Sequence, residues 1–405
     1  MNNNLDKNNL GLLENDTRLD DERLNLPKEE FQLVVRENKI LDSEFKSESV
    51  SYGKDVWRRF LRDPVTVVAA VIILLIVAMG IVGPHLNEFT VTEQHWDLSR
   101  LPPRWPGFER IGIFRGTSVR YIQAANLHNW EHALDRILEE YYVYTHAGPV
   151  PMLRIRIFDY VHASHVHANN IEAGITPDPL NLYFLFGTDQ LGRCLFTRLW
   201  QGTRVSLILG FAATLINLSI GFILGAAMGY YGGKFDMIAQ RCMEVIGNIP
   251  FLPLAILIIM ILGSGMHALI IVFLINGWIG VANNVRIQFY RFKNREYVLA
   301  SRTMGASDRR VMFRHILPNA IGTTITFIAL SVPVIIMNEA FLAYLGLGIE
   351  APNPSIGVLL RNAQENLLAY PFMMVFPAII IVLLMLAFNL FGNGLRDAFN
   401  PSLRK

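Results

Sequence analysis

Residues 283–319 read NNVRIQFYRFKNREYVLASRTMGASDRRVMFRHILPN and form a polar segment between two long apolar runs. This basic segment contains eight Lys or Arg residues against two acidic ones, Glu296 and Asp308. Basic segments between membrane spans usually remain in the cytoplasm. The glycine and serine near its centre predict a helix, a break at residues 305–307 and a second helix that ends at Pro318. Such a helix–break–helix is suited to docking onto another protein.

Composition assigns the chain to membrane proteins. It has 405 residues, of which 52% are hydrophobic and 17% charged, with a net charge of +2. Soluble domains carry about 25% charged residues. Apolar residues here form runs of about twenty residues, which is the length needed to cross a bilayer.

Six apolar runs predict six transmembrane helices with both termini in the cytoplasm. Their limits are 65–82, 205–230, 237–262, 268–282, 321–345 and 372–391. Lys and Arg lie beside the ends assigned to the cytoplasm, which sets this orientation. Pro250 and Pro253 are expected to interrupt the third run. Gly221, Gly225 and Gly229 in the second run are spaced for close helix packing.

The remaining chain predicts four regions. Residues 1–54 form a polar cytoplasmic tail without a signal peptide, and residues 55–82 an interfacial helix followed by the first span. Residues 83–186 form an extracellular insert, and residues 187–405 the core with five spans. Within the insert, apolar spacing over residues 121–144 predicts an amphipathic helix, while alternation over residues 153–157 predicts a strand.

Polar residues within predicted spans are candidates for a transport pathway. Asn276, Asn338 and Glu339 are the candidates for lining it. Glu339 is the ionisable residue nearest a span centre, and a buried packing role for its carboxyl group is an equal alternative. Asp189 precedes the second span, and the sequence leaves open that it is an ordinary helix cap together with Thr188.

The insert is rich in histidine. His128 and His132 are four residues apart, and His162, His165 and His167 follow within a short stretch. The latter three are a candidate Zn²⁺ or Ni²⁺ site, although surface histidines are the commoner explanation. The sequence lacks a Gly-rich phosphate loop, an HExxH pair and a serine elbow, so we expect neither an enzyme nor a cofactor on this chain.

The basic segment resembles the cytoplasmic EAA loop of permease subunits from binding-protein-dependent ABC importers. Leu299, Ala300 and Ser301 stand at the Glu-Ala-Ala positions, followed by Gly305 and the pair Leu317-Pro318. Leu299 stands in place of the motif's Glu and Ser301 in place of its second Ala, and these departures resemble the peptide and nickel branch of the family. Other matches are GTDQLGR (187–193), YYGGKFD (230–236), FLAYLGLGIEAPNPSIGVLL (341–360) and AFNLFGNGLRDAFNPSLR (387–404), which are similar to C-type subunits of oligopeptide and dipeptide permeases.

The resemblance implies an all-α polytopic membrane protein with the type I ABC importer permease fold and a small α+β extracellular insert. It implies four kinds of partner: a homologous permease, two ATPase subunits that bind ATP and Mg²⁺, an extracellular peptide-binding lipoprotein and membrane lipid, with no nucleic acid. Residues 296–319, here called the knob, would insert into an ATPase groove. The contact residues that the motif implies are Glu296, Ala300, Ser301, Arg302, Gly305, Ala306, Leu317 and Pro318.

Three alternatives stay open on the sequence. The same architecture could import nickel or a metal chelate. An ion-coupled carrier or channel without an ATPase is disfavoured by the scarcity of acidic residues in the spans. A scaffold or sensor could use the insert to bind an extracellular partner. The role of the insert does not follow from the family resemblance.

Overall fold

The computed structural model describes residues 52–107, 114–146, 148–174 and 176–399. The chain divides into an N-terminal unit, Met1–Asp55, and a compact unit, Val56–Lys405. Because the described residues begin at residue 52, the predicted cytoplasmic tail, residues 1–54, lies almost entirely outside them. The predicted interfacial helix corresponds to helix α1, Tyr52–Arg62.

Most of the compact unit is helical, because a backbone in hydrocarbon must satisfy its own hydrogen-bonding groups. The helices after α1 are α2 (Pro64–Val82), α3 (Asp159–Val166), α4 (Ala168–Glu172), α5 (Leu195–Tyr231), α6 (Gly233–Gly247), α7 (Phe251–Leu262), α8 (Met266–Phe292), α9 (Glu296–Thr303), α10 (Asp308–Arg310), α11 (Leu317–Tyr344), α12 (Ile356–Gln364) and α13 (Phe372–Phe399). A π-helical stretch, Val311–Ile316, joins α10 to α11.

Five helices in the described part of the chain are long and apolar enough to cross a membrane, namely α2, α5, α8, α11 and α13. Helices α6 and α7 meet at a bend of 77° and make a sixth span if they are counted as one. Pro250 is the residue before α7, so the predicted interruption lies there. Pro253 does not break the helix, because it lies in the first turn of α7, where its missing N–H is not needed.

The crossing of α5 and α8 is close because of glycine. A Cβ atom placed on Gly221, Gly225 or Gly229 would lie 2.3–2.6 Å from a backbone carbonyl oxygen of α8. Real side chains do not approach carbonyl oxygens this closely, so only glycine allows this separation. The predicted role of these three residues in helix packing is confirmed.

The insert contains a three-stranded antiparallel sheet. Strands β1 (Thr117–Gln123), β2 (Leu134–Thr145) and β3 (Gly148–Phe158) are arranged in the order β1-β3-β2. The strand predicted at residues 153–157 is part of β3, whose residues Leu153, Ile155 and Ile157 are at most 5% exposed.

The amphipathic helix predicted over residues 121–144 is wrong. That region consists of the end of β1, a 3₁₀ stretch at Ala124–Ala133 and most of β2. Leu127 and Trp130 in the 3₁₀ stretch pack beside buried Ala133. A 3₁₀ helix repeats every three residues, so it produces an apolar spacing that resembles one face of an α-helix.

Helix α5 connects the two ends of the bundle. Near its N-terminus, Arg198 donates to the Val91 carbonyl at the start of the insert, and Tyr230 near its C-terminus contacts the basic segment. We call these the insert end and the knob end.

Asp189 and Thr188 do not form the helix cap that the sequence left open. Helix α5 begins after Cys194, without a side-chain cap. The Asp189 carboxylate instead accepts from Arg193 Nε at 2.7 Å and lies 3.4 Å from Arg198 Nε. Asp189 thus holds two nearly buried arginines at the junction of insert and core.

Candidate functional site

The knob turns sharply at Gly305, as the sequence predicts. Gly305 has φ +81°, in the left-handed region that favours glycine. Its N–H donates to the Arg302 carbonyl at 2.9 Å, and the Ala306 N–H donates to the Ser301 carbonyl at 3.0 Å, which closes α9. No atom lies within 4 Å of a Cβ placed on Gly305, so the backbone angle, and not lack of space, requires glycine.

The knob is fastened to the bundle by apolar and polar contacts. Val298, Val311 and Ile316 are fully buried in a cluster with residues of α8. The Tyr230 hydroxyl donates to the Asp308 carboxylate at 2.5 Å, and the Arg302 guanidinium lies 4.9 Å from the centre of the Tyr230 ring. Movement of the knob would therefore be transmitted to α5 and α8.

The structure brings the predicted contact residues into one protrusion, and most of them face solvent. Those that are exposed are Glu296, Ala300, Arg302, Gly305 and Pro318, while Ala306 and Leu317 are half-buried. Ser301 is only 6% exposed. This burial fits a packing role, and the contact of Ser301 with a partner stays a prediction.

Sequence reasoning missed the apolar part of this surface. Met304 is 81% exposed, Phe313 is 53% exposed and Leu299 is 47% exposed. Exposed apolar side chains grouped with arginines are typical of a protein–protein contact. The sequence alone could not separate these side chains from core residues of the same type, because exposure depends on how the two short helices turn at Gly305.

A cavity of about 440 Å³ lies between α5, α7, α8 and α11. Asn276 and Asn338, two of the candidate pathway residues, line it together with Asn217, Thr214 and Ser331. The remaining lining is apolar or aromatic, and none of the described lining residues is charged. The pore-lining role of both asparagines stays a prediction, and their shared cavity supports it.

Glu339, the third candidate, is not among the described residues that line this cavity. Its side chain is fully buried and accepts hydrogen bonds from Ser206 Oγ at 2.9 Å and Ser355 Oγ at 2.6 Å. Ser206 Oγ also accepts the Ile356 N–H at 3.2 Å. Glu339 therefore joins α5, α11 and α12 at the insert end, which corresponds to the packing alternative.

The three histidines predicted as a metal site do not come together. His162 and His165 stack with His132, whose ring centre lies 5.0 Å from that of His162 and 4.0 Å from that of His165. His167 instead lies against Asp97, with Nδ1 3.2 Å from a carboxylate oxygen. Among the described residues, no group of three or more His, Cys, Asp or Glu side chains could hold a metal ion.

This histidine cluster predicts acid sensitivity of the insert. Burial, together with His132, lowers the pKa of His162 to about 4 from 6.5. The unfolded chain therefore binds more protons than the folded one between these values. We expect the contribution of His162 to the free energy of unfolding of the insert to be complete above pH 6.5 and to decrease as the pH falls from 6.5 to about 4. Amide hydrogen exchange in β3, corrected for the intrinsic pH dependence, measures this.

The variant that tests this prediction is His162→Phe. Its phenyl ring can still stack on Trp130, whose ring centre lies 4.4 Å from that of His162 in the wild-type protein. It should flatten the pH dependence of β3 protection, whereas exposed His146→Gln should leave it unchanged. An identical slope in His162→Phe and the wild type would contradict the prediction.

Comparison with known proteins agrees with this architecture. Residues 221–405 match the family described as binding-protein-dependent transport system inner membrane component, and residues 51–103 match the N-terminal TM domain of oligopeptide transport permease C.

Three curated relatives are similar to the chain. The dipeptide transport system permease protein DppC of Bacillus subtilis (strain 168) is 32% identical over 394 residues, covering 97% of this chain and 99% of that protein. The oligopeptide transport system permease protein OppC of the same organism is 45% identical, covering 54% and 72%. The glutathione transport system permease protein GsiD of Pectobacterium atrosepticum is 38% identical, covering 54% and 72%.

The match to the Bacillus dipeptide permease includes the insert, because it covers nearly the whole of both chains. The knob, the core spans and the N-terminal segment thus agree with one family along the length of the sequence. The chain belongs to the binding-protein-dependent transport permeases, in the group of C-type permease subunits of peptide ABC importers.

Proposed function

We propose that the chain forms one half of the membrane pathway of an ATP-driven importer of oligopeptides. The supporting observation is the knob: an exposed apolar and basic protrusion, rigidly attached to the helices that surround the cavity. In this proposal the insert is extracellular, and the knob and both chain termini are cytoplasmic in the cell membrane. A homologous permease supplies the other half of the pathway.

The knob couples the pathway to two ATPase subunits, which bind ATP and Mg²⁺. When they close, they move the knob, and its contacts with Tyr230 and α8 transmit this motion to the helices around the cavity. The cavity then opens alternately to the two sides of the membrane. An external peptide-binding lipoprotein delivers the cargo.

The lining of the cavity supports a peptide cargo. Asn217, Asn276 and Asn338 each offer a carbonyl acceptor and an amide donor, which can pair with the N–H and C=O groups of a peptide backbone. The uncharged lining does not favour an ion-coupled carrier, and no observation favours a metal cargo. The cargo is tested by an uptake assay in which four candidates compete: a dipeptide, a hexapeptide, glutathione and Ni²⁺. Inhibition by Ni²⁺ alone would contradict peptide import.

The coupling role predicts that Arg302→Glu combined with Gly305→Pro removes ATPase binding. Proline cannot adopt the φ of +81° found at Gly305, and the charge reversal removes the cation from the exposed face. We expect co-purification of the ATPase subunits to fall more than about tenfold, equivalent to about 1.4 kcal/mol. Membrane insertion should be unchanged.

The control is Lys234→Glu, an exposed change at the same end of the bundle but outside the knob. It should retain the ATPases. Wild-type co-purification of the Arg302 and Gly305 double variant would refute the coupling role, even if peptide uptake was altered.

A further inference from the structure

A second, larger groove lies at the insert end, beside strand β1. Its volume is about 810 Å³, and its two walls are formed by residues 114–121 and residues 368–372. In the described part of the insert, β1 pairs only with β3, so its other edge is not part of the sheet. A free strand edge is a template for pairing with another extended chain.

The groove is strongly basic. Arg115, Arg120, Arg154 and Arg156 line it, and no Asp or Glu is among its described lining residues. The Arg154 and Arg156 side chains are 42% and 40% exposed, so their guanidinium groups can reach an anionic ligand in the groove.

Nearby acidic residues only partly neutralise these arginines. Arg120 is the best satisfied, since Nη2 donates to Asp159 at 3.0 Å and Nη1 donates to the Tyr370 hydroxyl at 2.6 Å. Arg154 lies 3.6 Å from Glu139, and Arg156 lies 4.0 Å from Asp135. These two ion pairs are long and partly exposed, and such pairs contribute little.

The shape and charge of the groove point to an extended acidic polypeptide. Arg154 and Arg156 are two residues apart on β3, so they project from the same face about 7 Å apart. Carboxylates at alternate positions of an added strand have the same spacing. A lipid headgroup would match one or two guanidinium groups but would not use the strand edge.

We propose that this groove is the docking surface for an extended acidic segment of the external binding protein. The groove shares no lining residue with the cavity between the spans, which separates it from the cargo pathway. The segment would add to the edge of β1 and pair its carboxylates with the arginines. This inference rests on the proposed function, because it takes the partner from the importer scheme.

The test is the affinity of the purified binding protein for the complete importer in lipid nanodiscs. Arg154→Gln combined with Arg156→Gln should raise the Kd about tenfold or more and weaken its salt dependence. ATP hydrolysis without the binding protein should be unchanged, which shows that the complex is assembled. The control is Arg136→Gln on β2, which is exposed on the same sheet but does not line the groove.

Three results would overturn the proposal. They are an unchanged Kd in the double variant, an equal loss in the Arg136→Gln control, and an effect that disappears in nanodiscs of zwitterionic lipid. The third result would assign the groove to lipid headgroups. Failure of the wild-type importer to take up peptide would instead contradict the proposed function.

Discussion

Asp189→Ala should lower the free energy of unfolding by about 3–5 kcal/mol, since it leaves buried charges without a counterion. Arg198 is 3% exposed and Arg193 is 9% exposed, and both pair with this one carboxylate. Two backbone N–H groups, those of Leu191 and Arg193, also lose their acceptor. Thermal unfolding of the purified protein in detergent, followed by tryptophan fluorescence, measures the loss.

The control for Asp189 is Glu244→Ala. Glu244 also pairs with an arginine, Arg241 at 2.6 Å, but the two side chains are 45% and 76% exposed. Exposed pairs contribute up to about 1 kcal/mol, so this variant should differ little from the wild type. Equal midpoints for the two variants would show that Asp189 is not the counterion on which the junction depends.

Gly225→Leu should prevent the core from assembling. A Cβ atom at this position would lie 2.3 Å from the Ala282 carbonyl oxygen, and a backbone atom cannot rotate away as a side chain can. Helices α5 and α8 would have to separate along the crossing where Gly221 and Gly229 make similar contacts. Overpacking a core usually costs about 1–3 kcal/mol, and this backbone clash should exceed that range. Size-exclusion chromatography after membrane extraction should show aggregation or loss of the monodisperse peak.

Gly247→Ala is the matched control within a helix. A Cβ atom there would lie 3.6 Å from Ile279 Cδ1, an ordinary van der Waals distance. This variant should elute as the wild type does. A monodisperse Gly225→Leu protein that also retained uptake would contradict the close crossing of α5 and α8.

Local patterns predicted the parts of the fold that depend on local physics. The apolar runs predicted the spans because their length matches the bilayer, and the Gly305 break followed from backbone conformation. The insert was harder, because the 3₁₀ stretch at Ala124–Ala133 has an apolar spacing close to that of an α-helix. The strands in that region form because they pair with β3, and strand pairing joins residues that are not neighbours in the sequence.

In the candidate site too, the sequence indicated the polar residues, and the packing decided which of them meet the cavity. Asn276 and Asn338 lie in the cavity, whereas Glu339, adjacent in sequence to Asn338, is buried between two serines. Consecutive residues of a helix point in directions about 100° apart, so the packing of α11 decides which one meets the cavity. The exposure of Met304 likewise depends on the turn at Gly305 and on the anchoring of Val298.

The sequence by itself determined that this chain is a membrane permease with a basic helix–break–helix, because hydrophobic run length, basic charge and motif spacing are local properties. Only the tertiary structure decided which groups meet: Asp189 with two arginines, Glu339 with Ser206 and Ser355, and four arginines along one groove. The physical reason is that burial and ion pairing depend on distances between segments far apart in the chain, and these distances are set only when the helices and the sheet pack.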